Sequence, residues 1–168
     1  MINANLQKAI DTFRIHDVYL RNSVAQCVNG FEPKYASDID KLEMQTKHAV
    51  REAQIAKLDE TQWLVRVFIE LGVRLVDSRI EQEDESVRAY IEAEYVAEYT
   101  VDEELEQACI DEFALKNASY HVWPYWREFL MSQCGRMHLP RLMLPTMQLA
   151  HHRHNELHDA IAEETNQI

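Results

Sequence analysis

Two stretches of strict alternation constrain this chain more than anything else in it. In the first, Trp63, Val65, Val67, Ile69, Leu71, Val73 and Leu75 fall on one row, with Arg66, Glu70 and Arg74 on the other. In the second, Val87, Ala89, Ile91, Ala93, Tyr95, Ala97, Tyr99 and Val101 share a row, opposite Arg88, Glu92, Glu94 and Glu98. Strand side chains alternate between faces, so both stretches read as strands with one dry and one wet face. A connection through residues 77–85 joins them, and one wet face argues for an antiparallel hairpin rather than a parallel sheet.

Two further strands precede this pair. Residues 13–24 are rich in β-branched and aromatic side chains, with imperfect alternation: Ile15 falls on one row, Val18 and Leu20 on the other. Residues 41–55 alternate at first, through Leu42 and Met44, and then become mixed. Between them lies a loop with Gly30, Pro33 and Ser37 that nonetheless carries Phe31 and Tyr35. Aromatics in a long connection are either pinned to the body or serve a ligand. Ahead of the first strand, Leu6, Ala9 and Ile10 are spaced for one face of a short helix over residues 2–12.

The second half reads as helix. Thr100 and Glu103 fit a capping box, acidic residues follow, and a helix is expected over residues 101–137. Pro124 lacks an N–H and clashes one turn back, which predicts a kink near Tyr120. Gly135 is the expected stop, followed by an apolar segment broken by Pro140 and Pro145 and a polar, helix-permissive tail. Strands first and helices after predict an α+β fold in one domain over residues 1–168. Residues 1–12 form an N-terminal extension, 13–101 a sheet with its crossover loop, and 102–168 the helical part.

Composition narrows the functional classes. A formal net charge of −12 over 168 residues repels phosphate backbones and argues against nucleic-acid binding. The opening residues lack the basic and apolar regions of a signal peptide, and no run approaches the ~20 apolar residues of a membrane span. Cys27, Cys109 and Cys134 are odd in number and far apart, so a reduced, cytoplasmic protein is expected.

Little in the chain suggests covalent chemistry. Gly30, Gly72 and Gly135 are too dispersed to cradle a phosphate. His151, His154 and His158 would share a helical face, with His152 and Glu156 beside them, and could chelate a divalent metal. The alternative is a solvated helix. No second set of ligands accompanies them, so neither a cofactor nor a metal is expected. The apolar inventory of the loop and of the segment after the helix (Leu142, Met143, Leu144, Met147 and Leu149) suits either a core or an adaptable binding groove.

Three features together carry a resemblance: Pro124, Tyr125, Arg127 and Glu128 in the helix, the Leu139, Pro140, Leu142, Leu144 run after it, and residues 97–101 closing the fourth strand. In order and spacing the chain resembles the SecB family of export chaperones from about residue 13 to 149. That resemblance implies a four-stranded antiparallel sheet, a long kinked helix and a shorter C-terminal helix, assembled as a homotetramer, a dimer of dimers. It implies an ATP-independent holdase, not an enzyme, that binds unfolded polypeptides in apolar grooves. Carried over, Phe31, Tyr35, Leu42, Met44, Leu142, Leu144, Met147 and Leu149 are the expected client contacts. Ile91, Ala93 and Tyr95 are the expected oligomer interface, which would bury their row. Asp17 and Glu92 match an acidic patch facing the export motor SecA, but Arg21 stands where the family carries a further acid. The resemblance therefore implies two candidate partners, SecA in protein export or an antitoxin in a toxin–antitoxin system. The rivals from other classes are a small metal-dependent enzyme built on the C-terminal histidines and a plain subunit-interaction module.

Overall fold

The computed structural model describes residues 4–147. The expected C-terminal helix, the histidines at 151, 154 and 158, and Leu149 lie outside the described residues. The elements run α1 (Ala4–Thr12), β1 (Arg14–Cys27), β2 (Glu43–Lys57), β3 (Trp63–Val76), a single turn α2 (Glu83–Ser86), β4 (Val87–Val101), α3 (Gln107–Phe113) and α4 (Ser119–Arg136). The four strands form one antiparallel sheet in the order β1-β4-β3-β2, with helices on one face.

The two alternating rows pair across the sheet, Val65 with Tyr99, Ile69 with Tyr95 and Val73 with Ile91, and their inner faces are buried almost throughout. The imperfect alternation of β1 has a simple cause. The register skips at His16 and again at Arg21, so Ile15, Val18 and Leu20 all oppose the inner row of β4, at Tyr99, Ala97 and Tyr95. An extra residue in one strand shifts its phase, and Ile15 therefore shares the face of Val18 and Leu20 rather than opposing it. A skip at Arg51 likewise accounts for the mixed second half of β2.

The helix begins later than its local signal predicts. Thr100 and Val101 stay in β4, Thr100 between Arg14 of β1 and Leu64 of β3 and Val101 beside Trp63 of β3, so no capping box forms. Glu103 instead pairs with Lys8 at 3.5 Å, and α3 starts at Gln107 with no side-chain cap. Ladder pairing on both flanks outweighs a cap worth about 1 kcal/mol. From Gln107 the helix is continuous to Arg136 through a π-type stretch, Ala114–Ala118, so the irregularity lies one turn before Tyr120 rather than at it. Past it, Ser119, Val122, Trp126, Leu130 and Cys134 recur every three or four residues and face the sheet. Nor does Gly135 end the helix: the turn is made by His138 in the left-handed region (φ 54°), where Leu139 N–H bonds back to the Cys134 carbonyl at 3.0 Å.

Helix α1 docks on α3 through Leu6 and Ala9. Below it, Phe13, Tyr99 and Phe113 form an aromatic knot with ring centroids 4.3–5.5 Å apart. His121 Nδ1 meets the Tyr99 hydroxyl at 2.9 Å, and on β2 His48 Nε2 meets Ser119 Oγ at 2.6 Å. Burial pushes both imidazoles below their ordinary value. Their folded-state values being lowered, the stability they contribute is complete above about pH 6.5, the ordinary value, and is lost as pH falls through the folded-state values. We expect the urea midpoint to fall between pH 7 and pH 5, and the double variant His48→Gln, His121→Gln to flatten that slope. An unchanged slope would dismiss this account.

Candidate functional site

The sheet's inner face is covered unevenly, and this creates the site. Helix α4 lies chiefly over β4, while the inner row of β2 begins with Met44 and Thr46 open to solvent. His48, next in that row, reaches Ser119, and its ring lies 6.3 Å from that of Trp123. The Trp123 indole N–H donates to the Pro145 carbonyl at 2.8 Å. This bond ties down a non-helical segment, residues 139–147, that leaves the end of α4 and returns beside it. The open row of β2 thus runs between the returning segment and the crossover loop.

The crossover loop supplies one end. Phe31, Tyr35 and Leu42 line a single cleft with Gly30, Ala36 and Arg79. Phe31 and Leu42 pack partly on the core, whereas Tyr35 is 78% exposed. Met44 follows on β2, 40% exposed. The returning segment supplies a second, smaller cleft, where Leu142 and Leu144 lie with Met143 against Leu130 and Met131 of α4. The expected client residues therefore form two clusters rather than one continuous strip. Leu144 is only 7% exposed and belongs to the core, while its neighbour Met143 is 75% exposed and presents the apolar surface instead. Met147 is half-buried at the end of the described chain.

The other two predicted sets fall elsewhere. Ile91, Ala93 and Tyr95 are 1%, 4% and 3% exposed beneath the chain's own helix, and the Tyr95 hydroxyl donates to the Tyr125 carbonyl at 3.3 Å. Burial of this row needs no partner. Apart from Met44 on β2, the exposed large apolar residues of the sheet lie on edge strand β1, at Ile15, Leu20 and Val24, and those of α4 at Tyr120, Tyr125 and Met131. Asp17 and Glu92 do share the outer face, opposite Glu98 and Val24 in register, which separates them by about 20 Å along the strands.

Most charges of that outer face are already satisfied. Arg21 bonds Glu94 at 2.7 Å, and Glu98 accepts from both Arg66 and the Tyr19 hydroxyl at 3.1 Å. Glu70 takes Arg51 at 2.6 Å and Lys47 at 3.0 Å, and these cations hold its carboxyl at about 2. Phe68 lies between the guanidiniums of Arg21 and Arg66, 5.1 and 5.2 Å from its ring. Among the described residues no group of histidine, cysteine and carboxylate side chains could hold a metal, and no helix is long and apolar enough to cross a membrane.

The sequence matches no protein-family model and no curated protein. Its structure is similar to that of a SecB-like chaperone of Mycobacterium tuberculosis, solved in complex with a ChAD peptide from the HigA1 antitoxin. The TM-score is 0.60 and the identity 19%, over 87% of this chain and 98% of that one. The chain has the SecB-like fold. The four-stranded antiparallel sheet and the long joined helix are the architecture that the resemblance implies. On the SecB-like frame the open row of β2 starts at the crossover loop and reaches, through His48 and Trp123, the returning segment, although the sequence separates these parts by about a hundred residues.

Proposed function

We propose that this chain is a cytoplasmic, ATP-independent chaperone that holds extended apolar polypeptide without covalent chemistry. The observation that carries this reading is the exposure of Tyr35, Met44 and Met143, at the two clefts and at the start of the open inner row of β2. A path of flexible, mostly unbranched side chains binds many sequences, because such side chains re-pack at low cost. The SecB-like fold supports the reading, as does the antitoxin peptide bound to the mycobacterial neighbour. The surface charge of −12 would add to the on-rate of basic clients.

A dedicated antitoxin chaperone is a more specific form of the same reading, and one observation favours it over delivery to SecA. Arg21 neutralises Glu94 in the middle of the outer face, which weakens any acidic patch offered to a basic motor. We further propose a homotetramer. The long edge strand β1, with Ile15, Leu20 and Val24 exposed, and the uncovered residues Tyr120, Tyr125 and Met131 of α4 are surfaces that a second copy would bury.

Suppression of aggregation of a denatured, rapidly diluted client, without ATP, tests the proposal directly. Scattering should fall to near baseline at about one client per tetramer, with the oligomer's mass measured alongside. A well-folded oligomer that leaves scattering unchanged would refute the holdase. Stoichiometric zinc in untagged protein would favour the metal-enzyme rival.

A further inference from the structure

The crossover loop is attached to the body in an uneven way. Its start is secured by Val28 N–H to the Arg88 carbonyl at 2.9 Å and by Asn29 Nδ2 to the Asp84 and Val87 carbonyls at 2.8 and 2.9 Å. Phe31, Ile39 and Leu42 then pack on the core. Between these anchors, residues 32–38 project with Tyr35 on a short turn whose hydrogen bonds are internal. Among the described residues, one ion pair ties this projecting stretch to the rest of the molecule, that of Asp38 with Arg79.

Arg79 is itself held firmly. Its Nε donates to Asp77 Oδ1 at 2.7 Å, its Nη2 to Asp77 Oδ2 at 2.8 Å, and its backbone N–H to Oδ1 at 3.2 Å. Asp77 is buried at the end of β3, has Arg88 at 3.8 Å, and is kept ionised down to about 2 by these partners. One guanidinium therefore holds two carboxylates with very different surroundings. The Asp77 limb is bidentate and shielded, whereas the Asp38 limb is half-exposed on both sides and open to screening.

We propose that Arg79 is a latch on the crossover loop: its Asp38 limb opens to let an apolar client segment pass beneath Tyr35, while its Asp77 limb keeps the guanidinium in place. The cleft that the latch spans is lined by Phe31, Tyr35 and Leu42 together with the charged Glu32, Asp77 and Arg88, so its opening widens that end of the proposed groove. Because salt screens exposed pairs before shielded ones, ionic strength sets how often the loop is released.

This inference rests on the client-binding reading, and the test separates the two. Asp38→Asn removes the outer limb and leaves the Asp77–Arg79 pair intact. Hydrogen exchange of residues 30–42, measured without client, should speed up about tenfold in the variant, with β3 and β4 unchanged. In the wild type, exchange there should rise with salt from 20 to 500 mM, and in the variant it should not. Association of a fluorescent apolar peptide should become severalfold faster in the variant. Unchanged exchange at 30–42 would overturn the latch, and so would faster exchange with an unchanged association rate. If the wild type bound no peptide at all, the chaperone reading would fall, and with it the gating role, whatever the exchange showed.

Discussion

Replacing Trp126 by alanine should cost about 3–5 kcal/mol, the largest stability loss available from one side chain here. Trp126 is 1% exposed, the largest of the fully buried side chains, and lies among the helix residues that face the sheet, with Phe129 at 6.2 Å. Its removal leaves a cavity between α4 and β4 that rigid strands on one side and a continuous helix on the other cannot close. Against a typical total of about 5–15 kcal/mol, such a loss would move the urea midpoint down by about 2 M. Tyr125, next in sequence and half-exposed, provides the comparison. Tyr125→Ala should change the midpoint little in a monomer. A large effect there, growing with protein concentration, would reveal a second copy covering α4. A midpoint unmoved by Trp126→Ala would contradict the packing described.

The second large effect concerns binding with stability held constant. Tyr35→Ser, Met44→Ser and Met143→Ser together remove three exposed apolar groups that contribute little to the fold, and the midpoint should shift by less than about 1 kcal/mol equivalent. If a client covers them, each loses roughly 1 kcal/mol of burial, and affinity for an extended apolar peptide should drop about 100-fold. Unchanged affinity in the folded triple variant would exclude this path as the binding surface. Leu144→Asp is the wrong choice for such a test. Buried against α4, it would force a charge into the core and unfold the returning segment rather than weaken a client contact.

The binding experiment keeps Tyr35 and Met44 from the residues that the sequence suggests but replaces Leu144 by Met143, and the reason is physical. The paired rows of β3 and β4 were legible because a period of two persists over seven or eight side chains. The bulges at His16, Arg21 and Arg51 were not, since one inserted residue looks the same as loss of pattern until a partner strand is present. Thr100 and Glu103 form a valid local cap signal, overridden by neighbours far away in sequence. Tyr35 could be anticipated as an aromatic stranded in a loop. The choice between Leu144 and Met143 could not, because residues 139–147 have no repeating geometry from which to read a face. Asp38 and Arg79 carry no local sign of one another, and only the arrival of β3 beside the loop brings them together.

The sheet order has a consequence for how the chain is made. β1 is synthesised first, yet it pairs with β4 alone, Cys27 with Ala89 and Arg14 with Thr100. Pairings so distant in sequence close slowly, because the loop entropy is lost before any ladder bond forms. At the ribosome, then, the first strand waits as an extended, partly apolar thread until the fourth has emerged. During that interval the nascent protein presents the kind of segment that its finished groove is proposed to hold, and neighbouring mature copies would be its nearest available protectors.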